Sequence, residues 1–151
     1  MPARKSDPRK ELLEAVKRYN EQQKELLREQ ISTMNPYKFE QLVGQLLEAM
    51  GYEQVEVTKA SGDKGVDVIG QVQVGITTIT EVVQVKRMQN TITRPYIDQL
   101  RGALPYHKAI RGTLITTGKF AAKCAEAALF PGAAPITLID GDRLLELLIE
   151  K

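Results

Sequence analysis

Residues 66–86 read VDVIGQVQVGITTITEVVQVK. Two runs rich in Val, Ile and Thr, 66–74 and 78–86, flank Gly75. Such residues favour strands, and a glycine between two such runs marks a turn. The stretch therefore reads as an antiparallel hairpin. Side chains alternate along a strand, so Gln84 and Lys86 share one face with Val82, while Val83 and Val85 point the other way. Gln84 and Lys86 are then ~7 Å apart along the strand. Asp67 opens the first run among Val66, Val68 and Ile69, where a carboxylate is costly unless paired or bound to a cation. Folding at Gly75 brings it beside Gln84 and Lys86. Taken alone, Q-x-K also describes a solvated strand end, and the polar GDKG loop at 62–65 a tight turn. That loop has neither phosphate-loop spacing nor the alternating acids of a calcium loop.

Upstream of the hairpin, residues 54–59 alternate apolar and polar and read as a strand. Before them, Asn35-Pro36 opens a helix and Gly51 closes it, because Asn caps well and Pro suits the first helical position. Phe39, Leu42, Val43, Leu46, Leu47 and Met50 form its apolar stripe, and Glu40 lies at the stripe's edge. Gly44, one turn on, suggests close approach of another chain or ligand, the alternative for Glu40 being a boundary acid reaching water. Downstream, 93–107 reads as a helix, 112–117 as a buried strand, 120–130 as an alanine-rich helix, 136–140 as a strand and 142–151 as a helix. His107 and Cys124 read as a helix-end residue and a small packing residue. Grouped strands followed by alternating strands and helices imply an α/β fold, a mixed central sheet flanked by helices.

The chain has 151 residues, 42% hydrophobic and 26% charged, which suits one globular domain. No apolar run approaches a membrane span and no secretory signal opens the chain, so no membrane partner is expected. A single cysteine excludes an internal disulfide and fits a cytoplasmic location. Residues 1–34 form a charged helical extension, helical over 8–31, whose heptads are too few and imperfect to define a coiled coil. It reads as a dimer contact or as a lead-in from another domain. Net charge is only +2, yet 85–123 holds Lys86, Arg87, Arg94, Arg101, Lys108, Arg111, Lys119 and Lys123 against Asp98 alone. That run fits either a phosphate-binding face or a merely basic surface.

Phe39-Glu40, Gly51-Tyr52, GDKGVDV (62–68), VVQVK (82–86), GTLITTGKF (112–120) and LIDGDRLLELL (138–148) occur in this order. Together they resemble the Mrr-like branch of the PD-(D/E)XK nucleases over residues 35–151. The resemblance implies a restriction-endonuclease-like αβββαβ core with an extra N-terminal helix. It implies a metal-dependent DNA endonuclease used in restriction or defence against foreign or modified DNA. Asp67 would be the metal-binding aspartate, Gln84 the second ligand position, Lys86 the catalytic lysine and Glu40 the helix-borne acid. This branch carries glutamine where most of the superfamily carries an acid, and Val66 stands in place of the proline of the superfamily name. Magnesium is the implied cofactor, with manganese as a substitute, since a hard cation suits oxygen ligands and keeps several waters. DNA is the implied partner, with Arg87, Arg94, Arg101 and Lys119 as candidate phosphate contacts. Such enzymes carry a recognition domain upstream, for which residues 1–34 are too short, so a separate recognition domain and a homodimer are the other partners to consider. A non-cutting nucleic-acid-binding module of the same fold and a structure-selective nuclease such as a junction resolvase are the alternatives.

Overall fold

In the computed structural model the described residues are 7–58 and 65–151. The loop residues 62–64 singled out above lie outside them. Helix α1 spans Pro8–Thr33 and α2 spans Pro36–Ala49. Asn35 caps α2 by accepting a hydrogen bond from the Tyr37 N–H at 2.9 Å, and Pro36 occupies its first turn. Gly51 takes φ +99°, the left-handed exit that ends many helices.

Five strands follow in spatial order β1-β2-β3-β4-β5: Glu53–Thr58, Gly65–Val74, Thr77–Lys86, Arg111–Thr116 and Ile136–Ile139. The first three are antiparallel and the last three parallel, so the sheet is mixed as the element order implied. Gly75, at φ +62°, supplies the backbone a two-residue hairpin needs, and the β2–β3 ladder runs unbroken from Val74↔Thr77 to Gly65↔Lys86.

Helix α3 spans Arg94–Ala103 and runs into a 3-10 turn at Leu104–His107; α4 spans Cys124–Ala128 and α5 Gly141–Glu150. The 120–130 stretch is thus less helical than its alanines suggest. Phe120 is held in a β-bridge with Ile92, and Ile92 N–H donates to Lys119 O at 2.8 Å, which delays the helix until Cys124.

Each sheet face has its own core. On one, Val68, Val83, Val85, Ile115 and Ile139 pack with Ile31 of α1, Phe39, Val43, Leu46 and Leu47 of α2, and Leu144 and Leu145 of α5. On the other, Val82, Leu114 and Ile136 pack with Ile97, Leu100, Leu104, Cys124, Ala127 and Ala128. Among the described residues no helix is long and apolar enough to cross a membrane.

Candidate active site

The β2–β3 register sets Asp67 opposite Gln84 and Gly65 opposite Lys86. Opposed residues of an antiparallel pair share a face. Asp67, Gln84 and Lys86 therefore stand on one face, continuing the row of Val82 beneath α3 and α4. All three are half-buried. They cluster where β3 ends and β2 begins, flanked by Thr58 and Thr116. Thr58 lies opposite Asp67 and donates from Oγ1 to the Asp67 carbonyl at 3.0 Å; Thr116 pairs with Lys86 and is buried. The neighbouring Thr117 N–H donates to the Lys86 carbonyl at 3.1 Å, tying the exits of β3 and β4 together.

Glycine makes that junction possible. A Cβ on Gly118 would lie 2.6 Å from Met88 O, and one on Gly141 would lie 2.3 Å from Thr117 O. The loops after β3, β4 and β5 are therefore stacked backbone on backbone, with Gly141 N–H donating to Gly118 O at 2.9 Å. Lys119 projects from this stack, exposed, into a cleft of about 510 Å³ that it shares with Gln89, Thr91 and α1.

Glu40 stands apart from the trio. It sits on α2, whose apolar stripe covers the opposite sheet face, and it opens into a groove of about 400 Å³ with Tyr37, Gln41, Val55 and Val57. The helix does start at the correct strand end, because the Arg87 guanidinium lies 4.6 Å from the Phe39 ring centre. Gly44 lines the same groove, and a Cβ there would meet no atom of this chain within 4 Å.

The basic run does not form a single face. Arg87 Nη1 donates to Met34 O at 2.7 Å and Ile31 O at 3.3 Å, closing the end of α1, and partial burial lowers its pKa. Arg101 donates to Ala127 O, Ala128 O and Ala134 O at 2.8, 3.0 and 2.9 Å, clamping α4 and the approach to β5 onto α3. Arg111 pairs with Glu81 at 3.0 Å. Arg94 is exposed, with Asp98 one turn on at 3.5 Å. The guanidiniums of Arg87 and Arg101 thus serve the fold, leaving Arg94, Lys108, Lys119 and Lys123 as the exposed cations of the run, with Lys108 just before β4 and Lys119 and Lys123 just after it.

Sequence reasoning passed over Glu81. It is 1% exposed, on the face of Val83 and Val85, and is met by Arg111, by Thr113 Oγ1 at 3.1 Å and by the Tyr52 hydroxyl. Tyr52 lies over Gly70, where a Cβ would come within 3.2 Å of its ring. Burial, then the hydrogen bond to the Glu81 carboxylate, raises the Tyr52 pKa well above its ordinary value. The network lies toward the far end of β3 and on the other face from Lys86, which makes it structural.

Comparison with known proteins gives a consistent picture. A family model described as a restriction endonuclease, Mrr_cat, matches residues 31–148. The chain is 33% identical over 151 residues to the type IV methyl-directed restriction enzyme EcoKMrr of Escherichia coli strain K12, an alignment covering 97% of this chain and 48% of that enzyme. The chain thus spans about half the length of that relative. Among solved structures, the DNA modification-dependent restriction endonuclease AspBHI superposes with a TM-score of 0.67 at 20% identity, over 84% of this chain and 35% of that one. The MspJI restriction endonuclease in complex with a 27-mer oligonucleotide superposes with a TM-score of 0.57 at 15% identity, over 83% and 30%. These two likenesses bear on the fold.

Proposed function

Because the chain belongs to the Mrr catalytic-domain family of restriction endonucleases, we propose that it hydrolyses DNA phosphodiesters with Asp67, Gln84 and Lys86 as a magnesium-dependent centre of the PD-(D/E)XK type. The observation that carries this reading is the ladder register, with Asp67 against Gln84 and Lys86 two residues further along the same face.

The donor set suits a hard cation. A carboxylate and an amide oxygen face each other across the ladder, whereas the one histidine, His107, sits in the 3-10 turn before β4, and the thiol of Cys124 is buried against Ile92 O at 3.3 Å. Oxygen donors with no imidazole or thiolate nearby favour magnesium or manganese over zinc. When bound, the cation supplies charge neutralisation at the phosphate. Asp67 contributes the anionic ligand and Gln84 a neutral one, so affinity is weak until the phosphate oxygens of DNA complete the site. The Lys86 ammonium orients the attacking water and offsets the negative charge that builds on the phosphoryl oxygens as the new P–O bond forms. Arg94 and Lys119 supply phosphate contacts beside the centre. The similarity to a methyl-directed enzyme supports modified DNA as the target and a role in defence.

The test is incubation of modified and unmodified plasmid with the full chain in magnesium, manganese or EDTA. Metal-dependent nicking or linearisation that disappears in Lys86→Met supports the reading. Cleavage that survives in Lys86→Met overturns the assignment of the centre.

A further inference from the structure

Helix α1 has two faces of note, and among the described residues only one of them packs on the domain. Its last turns dock on the domain: Leu27 and Ile31 enter the core beneath α2 and α5, while Lys24 reaches Glu146 in the middle of α5 and Arg28 reaches Asp142 in its first turn. Roughly 110° round the helix from that side, at ~100° per residue, runs a second line formed by Leu12, Val16, Tyr19, Gln23 and Leu26. The spacing alternates four and three residues over about two heptads, too short to define a coiled coil from sequence but matching the seam of a short two-helix pair. Its apolar members are well exposed: Leu12 65%, Val16 48%, Tyr19 61% and Leu26 56%. Residues 8–22 are exposed throughout, and a helix of about four turns without tertiary support is marginal in water.

We infer that this line is the interface through which two copies of the chain pair, their α1 helices parallel and in register. Three features select a second copy and that orientation. A β-branched residue at one seam position (Val16) with leucine at the alternate ones (Leu12, Leu26) is the combination that favours two parallel strands. Gln23 at the equivalent of Val16 one heptad on would face its own copy, and a single polar residue there fixes register and limits the assembly to two chains. The positions flanking the seam in its first two heptads, Leu13, Ala15, Asn20 and Gln22, carry no charge, so parallel approach sets no like charges side by side.

The domains do not obstruct the pairing. Each docks on the side of its own helix, well round from the seam, so a twofold axis along the helix pair leaves them on opposite flanks. Tyr19 with Leu12, Leu13, Val16 and Leu26 would bury about 500 Å² per chain, judged from ordinary side-chain areas, near the total of ~1,000 Å² at which specific interfaces begin. A reversible, concentration-dependent dimer is therefore expected. Resting on the endonuclease reading, pairing would give one particle two centres, one for each strand of a duplex.

The test uses the full chain and does not depend on cleavage. Sedimentation equilibrium should show a dimer that dissociates on dilution, and Val16→Glu combined with Tyr19→Glu should leave only monomer, with helicity lost at most from the exposed turns of α1 while the domain still unfolds in one cooperative transition. Under mild oxidation Val16→Cys and Gln23→Cys should each form a disulfide-linked dimer, and Lys17→Cys, on the outer side of the helix, should not. A wild type that stays monomeric into the hundred-micromolar range overturns the pairing. Equal cross-linking of Lys17→Cys overturns the seam, and preferential linking of Val16→Cys to Tyr19→Cys overturns the parallel register. A wild type that cleaves DNA while monomeric counts against the pairing alone, and absence of cleavage in an intact dimer against the nuclease reading alone.

Discussion

Asp67 and Gln84 are direct cross-strand partners, each at the same rung of the β2–β3 ladder. A carboxylate and a carboxamide so placed can offer one oxygen each to a common cation, with a single negative charge between them. Gln84→Glu adds an anionic oxygen for a hard cation. Magnesium affinity of the DNA-free chain should rise, read by isothermal titration with calcium as a non-cleaving control. An unchanged affinity would remove Gln84 from the ligand set.

Lys86 stands two residues along from Gln84 on the same face, with its strand end fastened by the hydrogen bond from Thr117. Replacing it by methionine keeps the aliphatic stem and removes only the charge. Cleavage should fall by at least ~10²-fold, the usual cost of deleting one electrostatic stabiliser. The circular dichroism spectrum and thermal midpoint should stay as in wild type. A large drop in stability instead would make Lys86 a structural residue.

The hairpin, its register and the shared face of Asp67, Gln84 and Lys86 were legible because β-branched runs, one turn glycine and strict alternation leave little freedom. Glu40 was legible as a stripe-edge acid but not as a residue of the other sheet face, since α2 could have packed on either. The roles of Arg87 and Arg101 were hidden because their acceptors are backbone carbonyls far along the chain, which carry no side-chain signature. Glu81 left a signal that was passed over: it shares a face with Val83 and Val85, and a lone acid on an apolar row requires a partner. Arg111, that partner, looked like one more member of a basic run.

Arg101 and Lys119 should therefore separate cleanly. Arg101→Ala strands three carbonyls that a charged donor now satisfies, and should cost about 2 kcal/mol or more of stability in urea unfolding. Lys119→Ala should leave stability unchanged. It should lower the slope of log affinity for DNA against log salt by about one, the share of a single phosphate contact. A stable Arg101→Ala with a reduced salt slope would return that arginine to the DNA face.

The Tyr52–Glu81–Arg111 network makes a prediction about alkaline stability. The Tyr52 hydroxyl donates to Glu81, and its pKa in the folded chain is raised above the ordinary 10.0, chiefly by burial and then by that hydrogen bond. Between the two values the folded chain keeps a proton that the unfolded chain has lost. Stability from this group is therefore complete below pH 10.0 and declines as pH rises beyond it. Tyr52→Phe cannot ionise, so its stability at neutral pH should drop through the lost bond to Glu81, while its decline above about pH 10 should be shallower than in wild type. Thermal midpoints of both proteins across about pH 8 to 11.5 measure this. Parallel curves would mean that Tyr52 titrates alike in both states and that its hydroxyl contributes nothing through Glu81; curves that converge at high pH are the expected result, because ionisation removes from wild type the same hydrogen bond that the substitution removes outright.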